Sequence, residues 1–415
     1  DEVWSVPIDG SGPPVRLHPH LSGSETLARY ALAQDGSVAV VALDDGAGGG
    51  TLFRAPLDGS AAPTPIDEGN VARLYTYVAP GGAQHALYFI DSDGDDRLEI
   101  RTVDLAGGVP LPLGPAELRA GLDFGGLQVA PDGSRAVFSA DNAVAERGEL
   151  YGLSLAGPGA LAQLSQIPVA GGDVYDFELS ADGARVVFLA DAVVDGKFEL
   201  WSAPIDDSAD PVPVSGTLAA TRDVVSFELA GSWTVFLADL AVDDQVELWS
   251  APIDGGATPT RRSVALPAGR DVSGFRIAPN GTRLVYAANL VSAVQSDLHL
   301  ATVAGLTGHT QLTNLEGGLP AVYTIRDYRI SPDSRRLAFD IHPAGGFNAT
   351  LFEQSLLAPA PIPEIVAVSA GTPSLIERAQ YLPDSAGLVF AAALDSGDRV
   401  EALLADERCF ADGFE

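Results

Sequence analysis

One octapeptide, Glu-Leu-Trp-Ser-Ala-Pro-Ile-Asp, occurs at residues 199–206 and again without change at residues 247–254. The segment before it repeats at the same period of 48 residues, since Val-Phe-Leu-Ala-Asp stands at 187–191 and at 235–239. A fixed period of this length is typical of repeat architectures, in which one supersecondary unit is copied. Each unit reads as two apolar strands joined by a tight turn, an acidic or glycine-rich loop, a third strand and a proline-rich fourth strand. This order predicts a four-stranded blade.

The turn between the first two strands marks each unit. Asp-Gly and Asn-Gly supply the positive φ that two-residue hairpins need. Turns of this kind, including forms that have lost the glycine, are predicted at Asp35-Gly36, Gly81-Gly82, Asp132-Gly133, Asp182-Gly183, Gly231-Ser232, Asn280-Gly281, Asp333-Ser334 and Asp384-Ser385. Eight turns predict an all-β chain in which residues 1–415 form a single β-propeller of eight four-stranded blades. Seven blades is the alternative, because the second and fifth turns are degenerate.

Composition excludes several classes of function. The chain has 56 acidic and 24 basic side chains and a net charge of −32, which argues against a nucleic-acid partner and favours cationic partners or divalent ions. Every apolar stretch is too short to span a membrane. The single cysteine, Cys409, cannot form an intrachain disulfide. Methionine is absent and the numbering starts at Asp1, so we expect a removed leader and a secreted, extracellular or surface-displayed bacterial protein, with the periplasm as the alternative.

The repeat unit resembles a known family. Residues 130–138, Ala-Pro-Asp-Gly-Ser-Arg-Ala-Val-Phe, followed by Glu-Leu-Tyr at 149–151, are similar to the blades of the TolB-like (PD40-type) bacterial β-propeller repeat family. The resemblance covers nearly the whole chain and implies the propeller fold. Such propellers serve as protein-binding adaptors, as non-catalytic domains of peptidases and occasionally as polysaccharide lyases, so the resemblance does not select a function.

Sequence motifs for catalysis are missing. The chain contains no Gly-x-Ser-x-Gly nucleophile elbow and no His-Glu-x-x-His zinc motif. The glycine-rich stretch at residues 46–50 is not followed by the lysine of a phosphate-binding loop. We therefore expect a protein that is not an enzyme and has no catalytic residues.

Acidic loops are the only repeated chemical feature. Residues 91–96, Asp-Ser-Asp-Gly-Asp-Asp, place carboxylates at the short spacing that a hard cation requires. The predicted ligands of a calcium ion are Asp91, Asp93, Asp95, Asp96 and Glu99. Similar loops carry Asp191 with Asp195, Asp239 with Asp243 and Asp244, and Asp395 with Asp398. The alternative is a solvated acidic hairpin that keeps the protein soluble and blocks edge-to-edge association.

Both ends of the sequence contain a candidate for the third strand of the same blade. Residues 2–9 have the sequence of a third strand and residues 14–17 that of a fourth, while the C-terminal unit supplies its own third-strand candidate at residues 399–404. Either the N-terminal strands, residues 1–22, close the ring, or a surplus strand pairs with a neighbouring molecule. The tail, residues 407–415, offers further contacts. The predicted interface residues are Val3, Trp4, Val6, Ile8, Cys409, Phe410 and Phe414.

These observations favour a non-catalytic structural or interaction module. Its partner is predicted to be a protein, with assembly of the chain itself into extracellular filaments by terminal strand exchange as the most specific version. The alternative is a carbohydrate-active or peptide-cleaving enzyme, or a ligand-binding receptor, with a site in the central channel.

Overall fold

The computed structural model describes residues 2–115, 117–292, 295–305, 308–313, 323–343, 349–359, 364–368, 376–392 and 401–406. The chain divides into two compact units, Asp1–Pro213 and Val214–Glu415. The described part of the chain has no helix with the length and apolarity needed to cross a membrane.

The first unit contains a two-stranded hairpin followed by four four-stranded sheets. The hairpin consists of β1 (Trp4–Ser5) and β2 (Val15–Arg16). The sheets are β3 (Thr26–Leu32), β4 (Val38–Asp44), β5 (Gly50–Pro56) and β6 (Thr64–Glu68); β7 (Asn70–Val78), β8 (Gln84–Asp91), β9 (Glu99–Asp104) and β10 (Leu111–Leu113); β11 (Phe124–Val129), β12 (Arg135–Ala140), β13 (Glu149–Ser154) and β14 (Ala162–Gln163); and β15 (Val174–Leu179), β16 (Arg185–Ala190), β17 (Glu199–Pro204) and β18 (Val212–Pro213).

The second unit contains four more sheets. They are β19 (Val224–Ala230), β20 (Trp233–Ala238), β21 (Glu247–Pro252) and β22 (Thr260–Arg261); β23 (Val272–Ile277), β24 (Arg283–Ser292), β25 (Gln295–Thr302) and β26 (Thr310–Gln311); β27 (Tyr323–Thr324), β28 (Tyr328–Ile330), β29 (Arg336–Pro343), β30 (Thr350–Ser355) and β31 (Glu364–Val368); and β32 (Ile376–Tyr381), β33 (Gly387–Ala392) and β34 (Glu401–Asp406). In the third of these sheets β27 and β28 both pair with β29.

The described strands confirm the predicted all-β fold of propeller blades. Each four-stranded sheet is an antiparallel meander in chain order. Eight sheets of three or more strands occur among the described residues, which matches the eight predicted turns. The single domain over residues 1–415 stays a prediction.

The turn chemistry has the predicted cause. Gly133 has a φ of 70°, and a Cβ at this position would collide with the carbonyl oxygen of Val78. Ser334 and Ser385, which replace glycine in the last two turns, have φ values of 63° and 61°. The backbone therefore keeps its left-handed turn where the glycine has been lost.

In the first unit, the hydrophobic core lies between successive sheets. Strands β8 and β12 are buried along almost their whole length, because the neighbouring sheets of this unit cover each on both faces. Phe138 of β12, for example, contacts Phe89 and Phe124, with ring centroids 5.5 Å away in each case. The near-continuous apolar character of the second strands follows from this position.

Candidate functional site

The acidic loop after β8 folds around one buried carboxylate. Asp91 Oδ1 accepts hydrogen bonds from the backbone N–H groups of Gly94, at 2.7 Å, and Asp95, at 3.3 Å. Its Oδ2 accepts from the N–H of Asp96 at 3.1 Å. Both carboxylate oxygens of Asp91 therefore accept hydrogen bonds from the backbone of its own loop.

Three of the five predicted metal ligands come together. Ligand atoms of Asp91, Asp93 and Asp95 all lie within 4.8 Å of one another, so this acidic triad could hold a metal ion. Desolvation, followed by the charges of Asp95 and Asp91, raises the pKa of Asp93 above its ordinary value. A groove of about 650 Å³ borders the loop and is lined in part by Asp91, Asp95 and Asp96.

The other two predicted ligands have different contacts. Glu99 accepts hydrogen bonds from the side chain and the backbone of Ser92 and lies 3.7 Å from the guanidinium of Arg101. Asp96 is not part of the triad and has a left-handed backbone, with φ of 64°. The five-residue ligand set is thus reduced to three among the described residues, and the identity of the ion stays untested.

The equivalent loops show why the solvated-hairpin interpretation was wrong for their first carboxylate. Asp191 is fully buried, its Oδ1 accepts the N–H of Asp173 at 2.6 Å, and its Oδ2 accepts the N–H of Gly196 at 2.8 Å. Asp141 and Asp239 are also buried and make the same two kinds of contact. Each of these carboxylates ties its loop to the start of the first strand of its own sheet, so the role is structural.

The predicted interface residues are only partly described. Val3, Trp4, Val6 and Ile8 belong to the hairpin at the start of the first unit, and the last three are exposed. Cys409, Phe410, Phe414, the tail 407–415, Asp395 and Asp398 lie outside the described residues.

Sequence reasoning missed a cationic groove on the first strands of two neighbouring sheets. Residues 27–30 of β3 and 73–75 of β7 line a groove of about 420 Å³. Arg29 and Arg73 project here from equivalent positions, because each is the first paired residue after a bulge in its ladder. Bulges re-aim side chains and are frequent beside binding sites.

Each arginine is held by the next first strand. Arg29 Nε donates to the carbonyl of Val71 at 3.3 Å. Arg73 donates to the carbonyl of Ala72 on its own strand at 2.9 Å and to the carbonyl of Phe124 at 3.5 Å, and its guanidinium lies 5.2 Å from the ring centroid of Phe124. A guanidinium carries more N–H donors than these contacts use. No acidic side chain forms a salt bridge with either arginine within the described ranges.

Two tyrosines complete the groove. Tyr30 is 59% exposed, and Tyr75 is half-buried. Burial raises the pKa of the Tyr75 phenol, whereas the positive charges of Arg73 and Arg29 oppose that rise. Both guanidinium groups line the same groove as this phenol. The groove offers positive charge, hydrogen-bond donors and aromatic surface in a protein that carries a net charge of −32.

The same position has other side chains elsewhere. It is Asp176 in β15 and Ser226 in β19, each again the first paired residue after a bulge. In β23 it is Gly274, and Arg276, two residues further along that strand, forms a salt bridge with Asp327 at an N–O distance of 3.1 Å. The signal that the sequence contained was two arginines at matching places in successive first strands.

Comparison with known proteins found matches among solved structures at low identity. No protein-family model and no curated protein matches the chain. Among solved structures, an oligogalacturonate lyase in complex with manganese is 16% identical, covering 83% of this chain and 100% of that one, with a TM-score of 0.41. An oligogalacturonate lyase from Vibrio parahaemolyticus is 12% identical, with 81% and 98% coverage and a TM-score of 0.41. A prolyl endopeptidase structure is 16% identical at the same TM-score, and the match covers 78% of this chain but only 47% of that protein.

These matches correct one prediction and leave another open. The similar structures are enzymes, which contradicts the expectation that the chain is not an enzyme. They contain β-propeller domains, as predicted, whereas none of them identifies the TolB-like family. One of them is a manganese complex, and nothing in them supports calcium specifically.

Proposed function

We propose that the protein binds a carboxylate-bearing saccharide in the groove between β3 and β7. The observation that carries the proposal is the pair Arg29 and Arg73, which line one groove from equivalent positions and have no acidic partner among the described residues. A site of this kind favours a ligand that brings its own negative charge.

The chemistry of the groove favours a sugar acid over a simple anion. The planar guanidinium forms two parallel hydrogen bonds to a carboxylate. Tyr30 and Tyr75 add aromatic faces on which the apolar face of a pyranose ring can stack, and phenolic hydroxyl groups that exchange hydrogen bonds with sugar hydroxyls. A short polyuronate combines both features.

Calorimetric titration tests the proposal. A galacturonate oligomer is compared with a neutral galactose oligomer of equal length, for the wild-type protein and for Arg29→Gln and Arg73→Gln. Arg276→Gln is the matched control, since Arg276 also lies on a first strand but is paired with Asp327. We expect each groove variant to weaken uronate binding about tenfold or more, and the control to bind as the wild type does. Equal affinity for the neutral oligomer, or unchanged binding in both groove variants, would refute the proposal.

The same preparation tests for turnover. An enzyme that acts on the bound saccharide releases new reducing ends, and this release disappears in Arg73→Gln but not in Arg276→Gln. Binding without product identifies a receptor. Acidic peptides are tested as a second class of ligand, because the alternative function predicted from the sequence includes a peptide-cleaving enzyme.

Calcium at the acidic triad and export from the cell stay predictions with their own tests. A calcium-dependent rise in melting temperature that Asp93→Asn abolishes would support the ion, and a flat titration would dispose of it. Detection of the protein in the medium or on the cell surface tests export.

A further inference from the structure

The N-terminal hairpin has the internal contacts of the outer half of a complete sheet. In the hairpin, Leu17 N–H donates to the carbonyl of Val3 at 3.0 Å, and Val3 N–H donates to His18 Nε2 at 3.2 Å. In the sheet β11–β14, Leu164 N–H donates to the carbonyl of Leu150 at 2.8 Å, and Leu150 N–H donates to Ser165 Oγ at 3.0 Å. Strands β1 and β2 thus correspond to a third and a fourth strand.

The hairpin also packs against the next sheet as a complete sheet does. Ser5 Oγ donates to the carbonyl of Leu57, just beyond β5. In the second unit, Ser250 Oγ donates at 2.7 Å to the carbonyl of Val303, just beyond the third strand β25. Leu17 is buried in the cluster formed with β4 and β5. One face of the hairpin is therefore fully occupied.

The inner edge of β1 is vacant among the described residues. Backbone groups of alternate residues in a strand point to opposite edges. Both backbone groups of Val3 bond to Leu17 and His18, which directly follow β2. Those of Trp4 therefore point away from β2, where a complete sheet has its second strand. Trp4 is 50% exposed, whereas Tyr151, in the same slot of β13, is 3% exposed and pairs with Phe138 of β12.

The outer face of the hairpin is uncovered as well. Ile8 is fully exposed, at 106%, whereas Ile205, which follows β17 in the equivalent position, is 4% exposed. Ile205 belongs to a core cluster with residues of the sheet before it, including Leu150 and Ile167. The occupant of the vacant edge must therefore bring a strand and apolar surface behind it.

The last sheet of the second unit lacks its outermost strand among the described residues. It consists of β32, β33 and β34, and the described residues contain no fourth strand next to β34. In the part of the chain that the structure describes, β34 pairs with β33 along one edge and with no strand along the other. A strand edge of this kind is a template for another chain. Among its described residues the chain thus has two incomplete sheets. The hairpin has a third and a fourth strand without a second strand, and the sheet β32–β34 has three strands without a fourth.

We propose that β1 of one molecule pairs antiparallel with the open edge of β34 of a second copy of this chain. No described strand has to be displaced, because none of them pairs with either edge. The contact joins different surfaces of the two copies, so it propagates head to tail unless it closes into a ring. This assembly does not involve the arginine groove and is independent of the proposed function.

The test is the mass of the 415-residue chain by light scattering across protein and salt concentration. Copies that each carry a net charge of −32 repel, so association should strengthen with salt. Val6→Pro removes an N–H that alternation places on the vacant edge and leaves the pairing of β1 with β2 intact. Val6→Ala is the matched control, because it shortens the side chain and keeps the N–H.

The expected result is concentration-dependent oligomers that Val6→Pro weakens about tenfold and Val6→Ala affects less. Amide hydrogen exchange of Trp4 gives a second readout, since its N–H should be protected in the oligomer and exchange fast in dilute monomer. Oligomers that Val6→Pro leaves unchanged would overturn the proposal. A monomer at every concentration would also overturn it, and slow Trp4 exchange in that monomer would show that the edge is filled within one molecule.

Discussion

The hairpin β1–β2 and the outer half of the sheet β11–β14 share their hydrogen bonds but differ in burial. Both tie the third strand to the fourth through a main-chain bond and a side-chain acceptor, His18 in one case and Ser165 in the other. Trp4 is half exposed, while Tyr151 is buried against Phe138. Local contacts thus follow from the repeat sequence, whereas burial depends on the neighbouring strands. The hairpin shows which hydrogen bonds form within a half-sheet, and the complete sheet shows the burial that neighbouring strands add.

The largest predicted difference concerns the aromatic slot. Phe138→Ala should lower the free energy of unfolding by about 3–5 kcal/mol, because it removes a fully buried ring that contacts three other aromatic rings. Trp4→Ala should cost below about 1 kcal/mol, since half of this side chain is already in water. Urea denaturation followed by circular dichroism measures both. A comparable loss in the two variants would mean that Trp4 is covered in solution.

A second pair of variants compares buried and exposed aspartates. Asp191→Ala should cost about 2–4 kcal/mol, because it removes a fully buried carboxylate that accepts the N–H groups of both Asp173 and Gly196. Asp9→Ala, in the turn of the hairpin, removes an acceptor for the N–H of Ser11 that water can replace, so the denaturation curve should barely move. If Asp191→Ala is as mild as Asp9→Ala, the loop carboxylates do not hold the sheets together.

The contrast also shows how far the sequence predicts the structure. The repeat period and the turn residues located the sheets, including the Ser334 turn that lacks glycine, because these signals are local. The burial of Asp191 was not predictable, since its partners are backbone groups 18 residues before it and 5 residues after it. Arg29 and Arg73 were missed because only the pairing of β3 and β7 with their second strands shows that they occupy matching positions.

A third pair of variants tests the contact between successive sheets. Ser250→Ala should cost about 1–2 kcal/mol, because Ser250 donates to Val303 and also accepts from Nε of the buried Arg262 at 2.7 Å. Ser5→Ala removes the equivalent bond to Leu57 without leaving a buried cation short of an acceptor, so its cost should be about half as large. Thermal denaturation of both variants measures the difference. Equal losses would show that Arg262 finds another acceptor when Ser250 is replaced.

The smallest predicted effect is a pH dependence confined to the complete sheet. Glu149, at the start of β13, is fully buried, and desolvation raises its pKa above the ordinary value of 4.5 even though Arg147 opposes the shift. An acid whose folded-state pKa is raised contributes stability that is fully present below its unfolded pKa and is lost as the pH rises through the folded pKa. The stability of the wild type relative to Glu149→Gln should therefore fall as the pH rises above 4.5. Glu2→Gln provides the matched control, because Glu2 is the exposed counterpart of Glu149 in the hairpin. A wild-type profile parallel to that of Glu149→Gln would show that the charge of Glu149 is fully compensated by its contacts with Arg147, Tyr151 and Gln163.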